Sequence, residues 1–391
     1  MAKIGVRALV AAAGLVLATS AQAQVPKDIH AALLKIGQIV DPACTAKLYR
    51  PLMPKADFNT YWPPDAAAPA STAALYPGVT IVRDQLFGPN AKDVVDVFTS
   101  DKGGNNRPIF IYVPGGGGNK VEQQVREGNA FYDNIGRWAA KNGMVGVLVQ
   151  RHPGTGNWDD GGRDLSMAVD WVKDNAPKFR GDPNRIFIAA HSAGTGPLGV
   201  YVGHPERWKN GVQVKGAIYM SGNPAPTAGG GAGRGQGPGG PGGGAALPAP
   251  GSTCGTSANM GSNDGAIAGP SGQREAAGGP GGGGRGRGGP QLTPEQLAER
   301  DNLPGFKATP VKVMLVRAEL DPGVMGDMLA SDKALHDEMC KADGDKAKDG
   351  DGHCPAMLFA KLHSHMSEVF AFDTPDKSVS DPILAWLKKI K

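Results

Sequence analysis

Aromatic residues make up only 6% of this 391-residue chain, and it has just four cysteines. No C-x-x-C pair and no cysteine–histidine spacing fits a structural zinc, so no metal is expected. No G-x-G-x-x-G opens a helix and no Gly-Lys-Ser/Thr follows a glycine loop, which argues against a nucleotide or nicotinamide site; no cofactor is expected. Formal charge is near balance at +4, and the few Gly-Arg steps carry no interleaved aromatics, so nucleic acid is not an expected partner. Beyond the N-terminus no apolar run is long enough to span a bilayer, and no integral membrane segment is expected in the mature chain.

What the first 23 residues do contain is a basic start, an apolar run from Ala8 to Ala18 and the small-residue site Ala21-Gln22-Ala23. This reads as a signal peptide, residues 1–23, and implies a periplasmic or secreted protein. No cysteine stands near the cleavage site to carry a lipid anchor. Loss of Lys3 and Arg7 with the leader leaves a net charge of about +2. Export permits disulfides. Cys340 and Cys354 enclose a polar lysine- and aspartate-rich excursion with no core of its own, which favours their pairing by loop closure; Cys44 and Cys254 remain, and composition alone does not choose among the three connectivities.

Glycine (59) and proline (32) are abundant, and the excess is local. Between Gly229 and Pro290, 26 of 62 residues are glycine. Such a segment buries too little to offset the entropy of ordering it, so 222–291 is expected to be a flexible insertion.

On either side, 79–221 and 292–391 alternate apolar strands with helical spacings, following an N-terminal extension, 24–78, that reads as a cap flank. Strands are expected at Val79–Leu86 and Val94–Thr99 as an antiparallel pair. Further strands are expected at Pro108–Val113, Met144–Val149, Ile186–Ala190, Val214–Met220, Val311–Arg317 and Ala356–Lys361. Helices are expected near Ile29–Val40, Glu127–Asn142, Asp164–Asn175, Pro197–Val202, Val324–Met339 and Asp381–Ile390, with Thr293 and Gln296 capping a short one. This order predicts an α/β fold, a mostly parallel sheet of about eight strands with helices on both faces.

The stretch Arg185–Gly194, RIFIAAHSAG, places Ser192 between a buried strand and a helix start. That is the pattern of a nucleophile elbow, with Ala190 where a glycine is usual. A serine hydroxyl needs a histidine to take its proton and a carboxylate to orient the histidine. Asp321 follows one later strand and His365 another; Glu319 and His363 are the competing acid and base. His191 is expected to hydrogen-bond behind the elbow. Donors for a developing oxyanion are expected from the backbone of Ala193 and of the loop containing Gly116 and Gly117. Tyr61, Trp62 and Trp158 are candidate pocket walls or plain packing residues.

Together Pro114–Gly117, the stretch from Asp164 through Gly181-Asp182-Pro183-Asn184-Arg185, His191–Gly194, Glu319–Pro322 and His365-Met366-Ser367 resemble the α/β-hydrolase superfamily, near its carboxylesterase and hormone-sensitive-lipase-like group. Proline stands at 114 where the group has histidine, which removes an ordering side chain and no backbone donor. The resemblance implies an α/β-hydrolase fold and a metal-free carboxylic ester hydrolase, a serine esterase working through an acyl-enzyme on a small-molecule ester. An amidase or peptidase with the same residues, or a binding protein on a hydrolase scaffold, is the alternative.

Overall fold

The computed structural model describes residues 25–53, 76–116, 132–151, 156–225, 292–344, 348–350 and 352–390. Residues 1–23, expected to be a signal peptide, Tyr61, Trp62, Gly117, Cys254 and nearly all of the glycine-rich insertion lie outside the described residues.

Eight strands form one sheet: β1 (Val79–Leu86), β2 (Val94–Ser100), β3 (Arg107–Val113), β4 (Val145–Val149), β5 (Gly181–His191), β6 (Gly216–Met220), β7 (Lys312–Leu320) and β8 (Ala356–Ser364). Their spatial order is β1-β2-β4-β3-β5-β6-β7-β8. Strand β2 runs antiparallel to both neighbours, and every other adjacent pair is parallel. This is the α/β-hydrolase topology.

The continuous apolar runs of the central strands are explained by burial on both faces. In β3, Phe110 and Tyr112 enter one core while Ile109, Ile111 and Val113 enter the other. The first core is closed by α1 (Lys27–Ile36), α2 (Pro42–Tyr49), α3 (Asp133–Lys141) and the C-terminal helix Ser380–Leu387. The second is closed by α4 (Asp160–Asn175), α5 (Thr195–Gly203) and later helices. The helix over Pro294–Glu299 starts with the expected reciprocal cap, Gln296 N–H on Thr293 Oγ1 and Thr293 N–H on Gln296 Oε1.

One element begins later than its apolar spacing suggests. The helix expected from Val324 starts only at Ala330 and ends at Cys340. Gly323 and Gly326 hold φ of +81° and +80°, which an α-helix cannot contain. Val324 and Met328 are buried from a loop instead, and Asp332 caps the true start by accepting the Leu329 N–H.

Connectivity fixes where a site can form. From β3 the chain crosses by α3 to β4 on one side, then by α4 to β5 on the other. The loops leaving the carboxyl ends of β3 and β5 therefore diverge and open a crevice there. The crossing by α3 is tight. A Cβ on Gly136 would lie 2.4 Å from the Phe98 ring, and one on Gly146 would lie 2.5 Å from Gly136 O. Gly146→Ala is expected to cost about 1–3 kcal/mol through overpacking against backbone. Gly196→Ala, in a helix with open space around the new methyl, should be neutral or stabilise by up to about 1 kcal/mol. Urea midpoints of the two variants check this; equal effects would show that the close approach is not a constraint.

Candidate active site

Strand β5 ends in a turn too cramped for larger residues. Ser192 has φ +52°, and a Cβ on Gly194 would meet Pro114 O at 2.6 Å. A Cβ on Gly115 would meet the Ser192 Cβ at 2.9 Å. The methyl of Ala190, by contrast, is fully buried between β3 and β6, so the departure from glycine is accommodated. The strained serine is braced by Thr195, whose hydroxyl donates to Ser192 O at 2.7 Å.

Strands β7 and β8 bring up the partners. Leu320 pairs with Ser364, so Asp321 and His365 each stand one residue beyond paired positions. His365 Nδ1 is 2.6 Å from Asp321 Oδ1 and its Nε2 is 2.9 Å from Ser192 Oγ. A carboxylate only accepts, so Nδ1 carries the proton and Nε2 is free to accept from the serine hydroxyl.

The competitors are engaged elsewhere. Glu319 accepts the Leu362 N–H at 2.7 Å, pinning a bulge where Leu362 has φ +67°. That bulge breaks the alternation between His363 and His365, and His363 is buried between Ser367 Oγ (3.0 Å) and Ser378 Oγ (2.6 Å). His191 Nε2 donates to His365 O at 2.9 Å, behind the elbow. Trp158 is packed under the Arg207 guanidinium, 4.5 Å from its ring, with His204 edge-on at 4.9 Å. Gly116 directly follows the β3 loop with φ +54°, and Ala193 follows the serine in the elbow turn.

Three charged residues that the motifs did not single out surround this relay. Arg317, buried on β7, donates to Asp321 Oδ2 at 2.7 Å and forks onto Asp332 at 2.9 and 2.8 Å. Burial pushes the Asp321 carboxyl up, but His365 and Arg317 outweigh it and hold it down at about 2. Burial, then the neighbouring His365, lowers His191 to about 3. Glu368 is completely buried, 3.5 Å from His191 Nε2. Burial and the Asp321 charge raise it well above the usual carboxylate range. The signals in sequence were faint: an arginine inside an apolar strand, and a glutamate three residues past His365.

Against this geometry, residues 94–229 match the model described as the carboxylesterase family. The chain is 27% identical over 140 residues to Esterase LipC of Mycobacterium tuberculosis (strain ATCC 25618 / H37Rv), covering 35% of this chain and 34% of that protein. It is 23% identical over 167 residues to Phenmedipham hydrolase of Pseudarthrobacter oxydans, covering 40% and 33%. It thus spans about a third of the length of these curated relatives. Among solved structures, carboxyl esterase 2 of the fungus Tuber melanosporum superimposes with a TM-score of 0.48 at 14% identity, covering 90% of this chain and 99% of that one.

Glu368 and His191 have opposite linkage to stability. Above about pH 4.5, the ordinary value for a glutamate, the unfolded chain releases the Glu368 proton while the folded chain holds it more tightly, so stability falls as pH rises. Between about 3 and 6.5 the unfolded chain protonates His191 and the folded chain does not, so stability rises with pH. The two contributions oppose each other from about pH 4.5 to 6.5. Glu368→Gln, which keeps a neutral side chain of the same shape, should gain stability relative to the parent as pH rises above about 4.5. Urea midpoints at each pH measure it; parallel curves for the two proteins would show that Glu368 is ionised in the fold.

Proposed function

We propose that this protein is an exported serine hydrolase that cleaves small carboxylic esters through an acyl-enzyme. Supporting this reading above all is the unbroken relay from Ser192 Oγ to His365 Nε2 and from Nδ1 to Asp321, set at a crevice beside a glycine loop. Ser192 attacks the ester carbonyl as His365 takes its proton. The imidazolium that forms is stabilised by Asp321, which Arg317 keeps ionised. Backbone N–H groups of Ala193, Gly116 and Gly117 are the proposed donors to the tetrahedral oxygen. His365 then protonates the departing alcohol, and water repeats the sequence on the acyl group.

Export rests on the leader 1–23 and on disulfide-bonded cysteines, which persist in oxidising compartments. Among the described residues no helix is long and apolar enough to cross a membrane.

A fluorophosphonate probe should label the protein and fail on Ser192→Ala. With short-chain aryl and alkyl esters, Ser192→Ala and Asp321→Asn should each lower kcat by about 10⁴-fold or more, while matched amides should turn over far more slowly. Faster cleavage of the amides would make the protein an amidase; absence of both labelling and turnover would leave a binding protein. Expression with the leader intact should yield a periplasmic chain beginning at Gln24, read by N-terminal sequencing, and a chain retained in the cytoplasm would refute export.

A further inference from the structure

A second cluster of chemically capable side chains lies away from Ser192, where the helix Ala330–Cys340 meets the loop entering β8. His336 and Cys340 are one helical turn apart on the same face, and Asp349 and Cys354 come from the loop. His336 Nε2 is 3.4 Å from Cys340 Sγ, 3.6 Å from Cys354 Sγ and 2.9 Å from Asp349 Oδ1. The two sulfurs are joined as a disulfide.

The geometry points to a zinc site that this disulfide replaces. In a tetrahedral site with bonds of about 2.3 Å to sulfur and 2.0–2.1 Å to nitrogen, adjacent N and S ligands stand about 3.5 Å apart. The histidine already holds that separation from both sulfurs. Only the sulfurs need to part, to about 3.8 Å on the same geometry. Asp349 supplies the fourth donor. The other ring nitrogen, Nδ1, lies 3.0 Å from Asp337 Oδ1, the carboxylate–imidazole pairing that orients metal-binding histidines. The ligands combine a helical turn with a loop, so none of the usual short spacings marks them in sequence.

The chemistry balances simply. A dithiol reductant transfers two electrons and two protons to the Cys340–Cys354 bond and leaves as its own disulfide. Zinc binding then displaces the two thiol protons into solvent. The lysine- and aspartate-rich loop is cross-linked in either state, by a covalent bond when oxidised and by a metal when reduced.

The test uses the full mature chain reduced with a phosphine, desalted, and titrated with Zn²⁺ against a chromophoric chelator. The parent should bind one Zn²⁺ at submicromolar affinity and melt several degrees higher with zinc than with EDTA. Co²⁺ in its place should give visible bands of a tetrahedral site and a near-ultraviolet thiolate charge-transfer band. His336→Ala should melt like the parent when oxidised, yet bind zinc at least tenfold more weakly when reduced. Because reduction also opens the disulfide at Cys44, C340H provides a second arm: it offers His336, Cys354 and Asp349 without reductant, and should bind zinc with the Cys44 bond intact. Equal binding by His336→Ala and parent would put the metal on other thiols and overturn the site, as would failure of both the reduced parent and C340H to bind.

Discussion

A single guanidinium sets the charge balance at the heart of this molecule. Arg317 holds Asp321 and Asp332 together in a space closed to water, where an unpaired ion would cost several kcal/mol. Two carboxylates and one guanidinium leave one negative charge, which a proton arriving on His365 would neutralise. Glu368, buried beside them, is raised well above the usual carboxylate range by burial first and by the Asp321 charge second. Burial, then the neighbouring His365, likewise disfavours a charge on His191. The polarity of the relay is thus a property of six side chains taken together.

Those side chains meet because the sheet lets them. Ser192 comes from the turn after β5, the glycine loop from β3, Asp321 from β7 and His365 from β8, all at carboxyl ends. Parallel pairing from β4 to β8 gathers those ends on one edge. A cavity of about 500 Å³ lined by Lys215, Lys312, Trp386 and Lys389 opens at the opposite edge, among strand beginnings, and takes no part in the relay.

Much of this could be read in one dimension, and the reasons differ by residue. Runs such as Ile109–Val113 and Ile186–Ala190 announce strands buried on both faces, and alternation with helices follows. Ser192, Asp321 and His365 stand out because each sits at the end of such a run. Arg317, Asp332 and Glu368 did not, since a charged residue in sequence looks the same on a solvated face as in a buried network. The bulge that separates His363 from His365 depends on a leucine with positive φ, which residue type does not encode. The late start at Ala330 has a similar origin: Val324 and Met328 have helical spacing, but the conformations of Gly323 and Gly326 decide the backbone.

The order of these strands along the chain has a consequence for biosynthesis. Ser192 and His365 are 173 residues apart, and β8 is the last of the described strands to be synthesised. At about 5–20 residues per second, the serine exists for roughly ten to thirty seconds before its histidine has been made. Throughout that interval the chain holds Ser192 without the imidazole that stands 2.9 Å from it in the complete fold. A chain that ends inside the glycine-rich insertion therefore contains Ser192 but lacks both Asp321 and His365.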